Sequence, residues 1–142
     1  MERLPEHGSC FVCGTENPHS MGIRWSADGG DRVVAEVILT VAQQGPPGYA
    51  HGGASAALLD EAMGMAVWLA GHRVVSVHLE ADYRKPVPLG QPVRVVGRMV
   101  GKSGRRVRAE GQILLPGGAV AVAGLGVYVE APLLLDPILR HP

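Results

Sequence analysis

The sequence is poor in aromatic residues and cysteines and carries no excess charge. Phe, Trp and Tyr make up 4% of its 142 residues, and only two cysteines are present. Lys plus Arg and Asp plus Glu each number 13, so the formal net charge is zero. This balance disfavours a general nucleic-acid binder, because such proteins are usually basic. Hydrophobic residues account for 46% of the chain, which is enough for a folded core and argues against disorder.

The sequence also lacks an apolar run long enough to cross a bilayer. The longest candidate, residues 51–71, is interrupted by Asp60 and Glu61. The first ten residues, MERLPEHGSC, show no apolar stretch typical of a signal peptide. We therefore expect a cytoplasmic protein that does not associate with membranes, and we expect its cysteines to be reduced.

Turn-forming residues are abundant, with 20 Gly and 11 Pro, and they divide the chain into short elements. We predict one domain over residues 1–142, with an irregular segment at 1–20 and a loop at 40–50. The tail, 131–142, is expected to be a loop or a short helix. A helix is predicted at 52–70, and strands are predicted at 21–27, 31–39, 74–84, 93–101, 105–115 and 119–130.

The predicted helix is apolar on all sides, since only Ser55, Asp60 and Glu61 are polar between 54 and 70. A helix of this kind is buried. The strand at 74–84 alternates apolar and polar residues, which predicts a half-buried strand. Its apolar set is Val75, Val77, Leu79, Ala81 and Tyr83. The economical arrangement is an α+β fold in which a curved antiparallel sheet wraps around the helix, and its free edge predicts a partner subunit.

The helix, the strand after it and the final hairpin together resemble the hotdog-fold acyl-CoA thioesterases of the phenylacetate-pathway and human thioesterase-superfamily type. The residues that carry the resemblance are HGGASAALLDEA (51–62), VVSVHLEADYRKPVPLG (74–90) and the hairpin near the end of the chain. The N-terminal CFVCGTENPHSMGI also looks like a subgroup of these proteins. In all, the resemblance covers roughly residues 20–130.

The resemblance implies a hotdog fold, hydrolysis of acyl-CoA to free acid and CoA, and no cofactor beyond the CoA of the substrate. It implies dimers that join two sheets into one, commonly paired into tetramers, with active sites at the subunit interface. The expected partners are therefore acyl-CoA and further copies of the chain. Neither nucleic acid nor a membrane is expected.

In that family the catalytic carboxylate lies in the helix, nine positions after the histidine. In this chain it is Asp60, which would act as nucleophile or general base. The resemblance gives the backbone N–H of Gly52 the role of oxyanion donor. The N–H groups of Gly52 and Gly53 open the helix without intrahelical acceptors, and the helix dipole adds positive charge there. The plainer interpretation is that Asp60 hydrogen-bonds a nearby loop or a partner helix.

Glu61 and His51 have two interpretations each. Glu61 lies about 100° around the helix from Asp60, so we expect the two acids to face different pockets. It is either a structural acid that pairs with Arg or Lys, which we prefer, or a residue that binds substrate or takes part in catalysis. His51 either positions the thioester or fixes the loop GPPGYA (45–50) with its imidazole.

Two further polar residues are candidates through the resemblance alone. Related enzymes hold the attacking water with an Asn or Gln from the loop before the helix, and Gln44 fits this role better than Gln43. Some of them also contribute a Ser or Thr from the second subunit, at the position of Ser76. Strand alternation puts Ser76 on the polar face, which solvent exposure or packing against another subunit would equally explain.

The hairpin GKSGRR (101–106) concentrates positive charge. Phosphates of CoA favour Arg and Lys, so Arg105 and Arg106, with Lys102 beside them, are candidates for substrate binding. Clusters of this kind more often lie on a solvated surface.

The segment HGSCFVCGTENPH (7–19) contains His7, Cys10, Cys13 and His19, and Cys-x-x-Cys is the spacing of half a zinc site. The usual second half, another Cys-x-x-Cys or a pair of nearby histidines, is missing. The simpler explanation is a Gly-rich segment with two small buried thiols. We therefore predict no metal from the sequence.

Two other functions compete with thioester hydrolysis. A hotdog hydratase needs a closely spaced Asp–His pair on the helix and its preceding loop, and no His follows Asp60 within the helix. The alternative that we keep is a non-catalytic acyl-CoA-binding hotdog protein, although such domains lack the helix acid. The sequence specifies neither the acyl group nor the choice between dimer and tetramer.

Overall fold

The computed structural model describes residues 2–5 and 7–131. Within them, one long helix, α1 (Gly52–Leu69), packs against one antiparallel sheet. Its strands are β1 (Glu2–Arg3), β2 (Ser26–Ala27), β3 (Arg32–Ile38), β4 (Val74–Tyr83), β5 (Pro92–Ser103), β6 (Arg106–Leu114) and β7 (Val120–Glu130). A short 3-10 helix, Val41–Gln43, precedes α1. The strand order is β1-β2-β3-β5-β6-β7-β4.

The sheet wraps around the helix, because β3, β4, β5, β6 and β7 all contact α1. The side chains at the centre of α1 are inaccessible to solvent, as the apolar pattern predicts. They are Leu58, Leu59, Ala62, Met63, Ala66 and Val67. The predicted hotdog arrangement is thus confirmed. The helix and the strands from β3 onward agree with the predicted bounds, whereas the predicted strand at 21–27 shrinks to β2.

A row of glycines crosses the sheet beneath the helix. Gly97 pairs with Gly111, and Gly111 pairs with Gly124, so the row runs through β5, β6 and β7. A Cβ atom on Gly97 would lie 2.4 Å from the backbone oxygen of Ala62, and one on Gly124 would lie 3.3 Å from Leu59. The helix backbone therefore approaches the sheet more closely than any side chain at Gly97 would permit.

Strand β4 differs from its prediction as a half-buried strand. Val77 is 50% exposed and Tyr83 is 52% exposed, although both belong to the predicted buried face. The strand lies at the sheet edge, where only β7 pairs with it among the described strands, and a register shift between Ser76 and His78 interrupts the alternation. The prediction was wrong because the pattern of period two indicates a buried face only where neighbouring elements cover it.

The N-terminal segment contributes to the core although it is almost entirely irregular. Val12, Cys13, Ile23 and Trp25 are buried there, and β1 pairs with β2 at the sheet edge. These contacts place residues 7–25 against the same helix that carries the predicted catalytic acid.

No helix in residues 2–5 and 7–131 has the length and apolar character that crossing a membrane requires. The predicted loop or short helix at 131–142 lies outside the described residues, apart from Ala131.

Candidate active site

The start of α1 presents one available backbone donor. Nδ1 of His51 accepts the N–H of Gly53 at 2.9 Å, so the imidazole caps the helix. The N–H of Gly52 meets no acceptor within the described part of the chain. Of the two predicted glycine donors, only Gly52 is therefore available to a ligand.

The surroundings of Gly52 include a residue that the sequence analysis missed. The Tyr83 hydroxyl donates to the backbone oxygen of Gly52 at 2.6 Å. Gly52 and Tyr83 border one cleft together with Arg84 and Lys85. Lys85 and Arg84, whose Nε also donates to the Asp82 carboxylate at 2.9 Å, add positive charge near the positive end of the helix dipole, which makes this cleft suited to negative charge.

Gln44 lies on another side of the helix start. It borders a cleft with Gln43, His51 and Gly53. Its Oε1 accepts the N–H of Gly48 at 3.0 Å, which stabilises the turn before the helix. Gln43 caps the preceding 3-10 helix, because its side chain accepts from the N–H of Thr40.

The Asp60 carboxylate lies two turns further along α1. The Tyr128 hydroxyl of β7 lies 2.9 Å from Oδ1 of Asp60 and is also 2.9 Å from its backbone oxygen. The other carboxylate oxygen has no hydrogen-bond donor among the described residues. Burial raises the pKa of the Asp60 carboxyl above its ordinary value, and the Tyr128 hydrogen bond opposes this rise.

A cleft of about 210 Å³ opens beside Asp60. Its lining includes Ser76 of the same chain, so the two predicted residues border one cleft. Glu61 borders the same cleft, so the expectation of two separate pockets is wrong, although the carboxylate oxygens of Glu61 are turned towards the N-terminal segment. Trp68 and His7 complete the wall of this cleft.

Both carboxylate oxygens of Glu61 are engaged by the N-terminal segment. The Cys10 thiol donates to Oε1 at 2.9 Å, and the Trp25 indole N–H donates to Oε2 at 3.0 Å. The predicted Arg or Lys partner is not found among the described residues; the imidazole of His7 lies there instead, with its Nδ1 3.9 Å from Oε1. Burial raises the pKa of Glu61 to about 7, and the Trp25 hydrogen bond opposes this rise.

The basic hairpin between β5 and β6 lies at the other end of the helix. Arg105 donates to the backbone oxygen of Glu130 at 2.9 Å, and Lys102 lies 3.3 Å from the Glu130 carboxylate. His72, just beyond the C-terminus of α1, contacts the same carboxylate at 3.1 Å. Arg105 and Arg106 are exposed and far from Gly52 of their own chain.

Gly52 and Asp60 are eight positions apart on one helix, which corresponds to about 12 Å. A single carbonyl group cannot contact both of them within one chain.

A larger cavity of about 650 Å³, between exposed side chains of β4 to β7, contains none of the predicted site residues.

Comparison with known proteins gives a match to the family described as the thioesterase superfamily over residues 47–122. Acyl-coenzyme A thioesterase THEM4 of Xenopus laevis is 39% identical over 71 residues, which is 49% of this chain and 32% of that protein. THEM4 of Rattus norvegicus is also 39% identical, over 64 residues. The chain spans about a third of the length of these curated relatives.

Solved structures show the same fold. The thioesterase superfamily protein RHA08564 has a TM-score of 0.83 and 32% identity, with 87% of this chain and 61% of that chain covered. A hypothetical thioesterase from Streptococcus pneumoniae, solved with coenzyme A, has a TM-score of 0.72 and 18% identity, and the match covers 77% of this chain and 88% of that one.

Proposed function

The chain belongs to the thioesterase superfamily, and on this basis we propose that it hydrolyses acyl-CoA thioesters to the free acid and CoA. The observation that carries the proposal is the Asp60 carboxylate, half-buried in the middle of α1 and bordering a cleft. One of its oxygens is held by Tyr128 and the other has no donor among the described residues. A carboxylate placed in this way is available for chemistry.

Asp60 acts in one of two ways. As a general base it accepts a proton from water, and the resulting hydroxide attacks the thioester carbonyl. As a nucleophile it attacks the carbonyl itself, the C–S bond breaks and the CoA thiolate leaves, and water then hydrolyses the resulting anhydride and restores Asp60. In both cases the products are the carboxylic acid and the CoA thiol. Ser76, which shares the cleft, is in place to hydrogen-bond the water or the acyl group.

The Gly52 N–H stabilises the oxyanion that forms on the carbonyl oxygen. It has no acceptor among residues 2–5 and 7–131 and lies at the positive end of the helix dipole, and donors aimed at developing charge in this way lower the barrier of acyl transfer. His51 supports it by capping Gly53, and Gln44 shapes the turn just before the helix.

The active site is shared between two copies of the chain. About 12 Å separates Gly52 from Asp60 along one helix, so the carbonyl must take its oxyanion donor from one chain and its carboxylate from another. The exposed apolar residues of the edge strand β4, Val77 and Leu79, support such a partner. The assembly is therefore at least a homodimer.

The phosphates of coenzyme A are negatively charged groups that Arg and Lys side chains can bind. Arg84 and Lys85 lie beside Gly52 and extend the list of candidates beyond Arg105 and Arg106. The proposed place of action is the cytoplasm, where the two free cysteines stay reduced.

Free-thiol release from a panel of aliphatic and aromatic acyl-CoAs tests the activity. We expect the wild type to hydrolyse some members, and this result would name the acyl class. If acyl-CoA raises the melting temperature but no member is hydrolysed, the chain is a non-catalytic acyl-CoA binder and the proposal fails.

Subunit complementation tests the shared site. Asp60→Asn and Gly52→Pro are each expected to be inactive, and the two proteins are then dissociated together and reassembled. About a quarter of the wild-type activity should return, because half of randomly reassorted dimers are mixed and each mixed dimer has one intact site. A site contained within one chain would restore nothing, since every chain carries a defect.

A further inference from the structure

We propose that His7, Cys10, Cys13 and Glu61 form a zinc site that ties the N-terminal segment to α1. Each residue offers one ligand atom, and these atoms all lie within 4.8 Å of one another. A tetrahedral zinc ion holds sulfur, nitrogen and oxygen ligands about 3.3–3.8 Å apart. Small side-chain adjustments therefore suffice to bring all four onto one ion.

The structure supplies the half of the site that the sequence lacks. Cys10 and Cys13 have the spacing of one half, but the other half comes from His7, just before them, and from Glu61 on the helix. His19, the remaining histidine of the segment, is exposed and outside the cluster. The expectation of no metal relied on the absence of a second ligand motif from the sequence. Glu61 joins the cluster only through the fold, so no such motif could report it.

Neighbouring groups orient the ligand atoms. The Trp25 indole N–H holds Oε2 of Glu61 at 3.0 Å, which leaves Oε1 turned towards Cys10 and His7. The N–H of Val12 donates to the Cys10 sulfur at 3.3 Å. Such outer hydrogen bonds to carboxylate and sulfur ligands are a regular feature of metal sites.

The loop that carries the two cysteines is shaped to bring them together. The N–H of Gly14 donates to the backbone oxygen of Cys10 at 2.9 Å. A Cβ atom on Gly14 would lie only 2.3 Å from the Cys10 nitrogen, so no other residue fits this turn. The loop therefore presents both sulfur atoms to the same point beside the helix.

The donor set selects the metal and its role. Two sulfur atoms, one imidazole and one carboxylate favour zinc over magnesium or calcium, which prefer oxygen ligands. Four protein ligands complete a tetrahedral shell and leave no position for water or substrate. The ion is thus structural, and it anchors the segment that lies against the helix next to Asp60.

Metal analysis of the purified protein tests the site without reference to thioester hydrolysis. The protein is prepared under reducing conditions without an immobilised-metal column. We expect about one zinc per chain in the wild type and in the control His19→Gln, and a large loss of zinc in Cys13→Ser and His7→Gln. Wild-type protein that contains no stoichiometric zinc and takes up no added Co²⁺ would overturn the proposal, as would an equal loss in His19→Gln.

Cobalt provides a second readout that does not depend on the cysteine variants folding. Co²⁺ added to metal-free wild type should produce sulfur-to-cobalt charge-transfer absorption and the intense visible bands of tetrahedral cobalt. Glu61→Gln keeps an acceptor for Trp25 but is a poor ligand, so it should shift the visible bands and weaken Co²⁺ binding at least about tenfold. Unchanged bands and affinity in Glu61→Gln would exclude Glu61 as a ligand, and a Cys10–Cys13 disulfide in anaerobically purified protein would exclude the site.

Discussion

At the middle of α1, Glu61 faces the N-terminal segment of its own chain, and Asp60 faces β7 and the edge strand β4. The segment engages both oxygens of Glu61, through Cys10 and Trp25. On the other side Tyr128 engages one oxygen of Asp60, and the second oxygen has no donor among the described residues. Two adjacent carboxylates of one helix therefore differ in their partners: both oxygens of Glu61 contact the N-terminal segment, whereas one oxygen of Asp60 has no donor in the part of the chain that the structure describes.

We expect the largest effect when the charge of Asp60 is removed and its shape is kept. Asp60→Asn should lower kcat/KM by about 10²–10⁴-fold, because the base or nucleophile is lost while the shape is kept. Its melting temperature should stay the same or rise, since a half-buried charge is removed. Thiol-release kinetics and thermal unfolding measure the two effects.

Glu61→Gln is the matched control and should behave in the opposite way. It should keep most of the rate but lower the free energy of unfolding by about 1–3 kcal/mol, because its hydrogen bonds with the N-terminal segment are disturbed. If Glu61→Gln loses as much activity as Asp60→Asn at full stability, the division of roles between the two acids is wrong.

The backbone donor at Gly52 gives the next largest effect. Gly52→Pro removes the N–H, and proline is tolerated at the first position of a helix, after an extended residue such as His51 (φ −61°, ψ 139°). We expect a loss in kcat of about 10²–10³-fold. Gly52→Ala retains the N–H, and its Cβ would lie 3.4 Å from the Tyr83 hydroxyl, so it should keep most of the rate. Equal losses in the two variants would show that the side chain matters rather than the donor.

The pH dependence of the rate reports the ionisation of Asp60. The rate should fall on acidification as Asp60 takes up a proton, since only the ionised form can act. The Tyr128 hydroxyl lowers the Asp60 pKa, so Tyr128→Phe should move the acidic limb of the kcat profile to higher pH and leave the alkaline rate largely intact. A shift to lower pH, or no shift, would contradict this coupling.

The smallest effect is expected at the basic hairpin. Replacement of Arg105 and Arg106 by Gln should raise the KM for acyl-CoA only a few-fold, because exposed charges contribute little each. Arg3→Gln combined with Arg94→Gln removes the same two positive charges from exposed positions outside the hairpin and controls for net charge. An unchanged KM would remove the hairpin from the substrate site.

The main elements of the fold could be predicted from the sequence, because hydrophobic periodicity determines them locally. The helix at Gly52–Leu69 and the strands from β3 onward follow their patterns closely. Strand β4 could not be predicted in full, since its exposure depends on its place at the sheet edge and on the irregularity near Val77. The alternation of apolar and polar residues along a strand reports neither its position in the sheet nor an irregularity in its pairing.

The candidate site was predictable where it lies on one motif and not where it depends on packing. His51, Gly52 and Asp60 were identified from the helix motif together with the family resemblance, and their catalytic roles stay predictions. Tyr128 was missed because it is 68 positions away from Asp60 and lies on another strand. The contacts of Glu61 were likewise missed, because residues without regular secondary structure show no pattern that reports which helix they cover.

The glycine row beneath α1 limits how the protein can change over evolutionary time. Main-chain atoms set the spacing between helix and sheet where Gly97 meets Ala62. Alanine at Gly97 would push the helix away from the sheet, and Gly52 and Asp60 would be displaced together with the helix that carries them. Under the proposed function, a change of acyl preference is therefore expected from side chains around the cleft, such as Met65 and Trp68, while the spacing of helix and sheet stays constant.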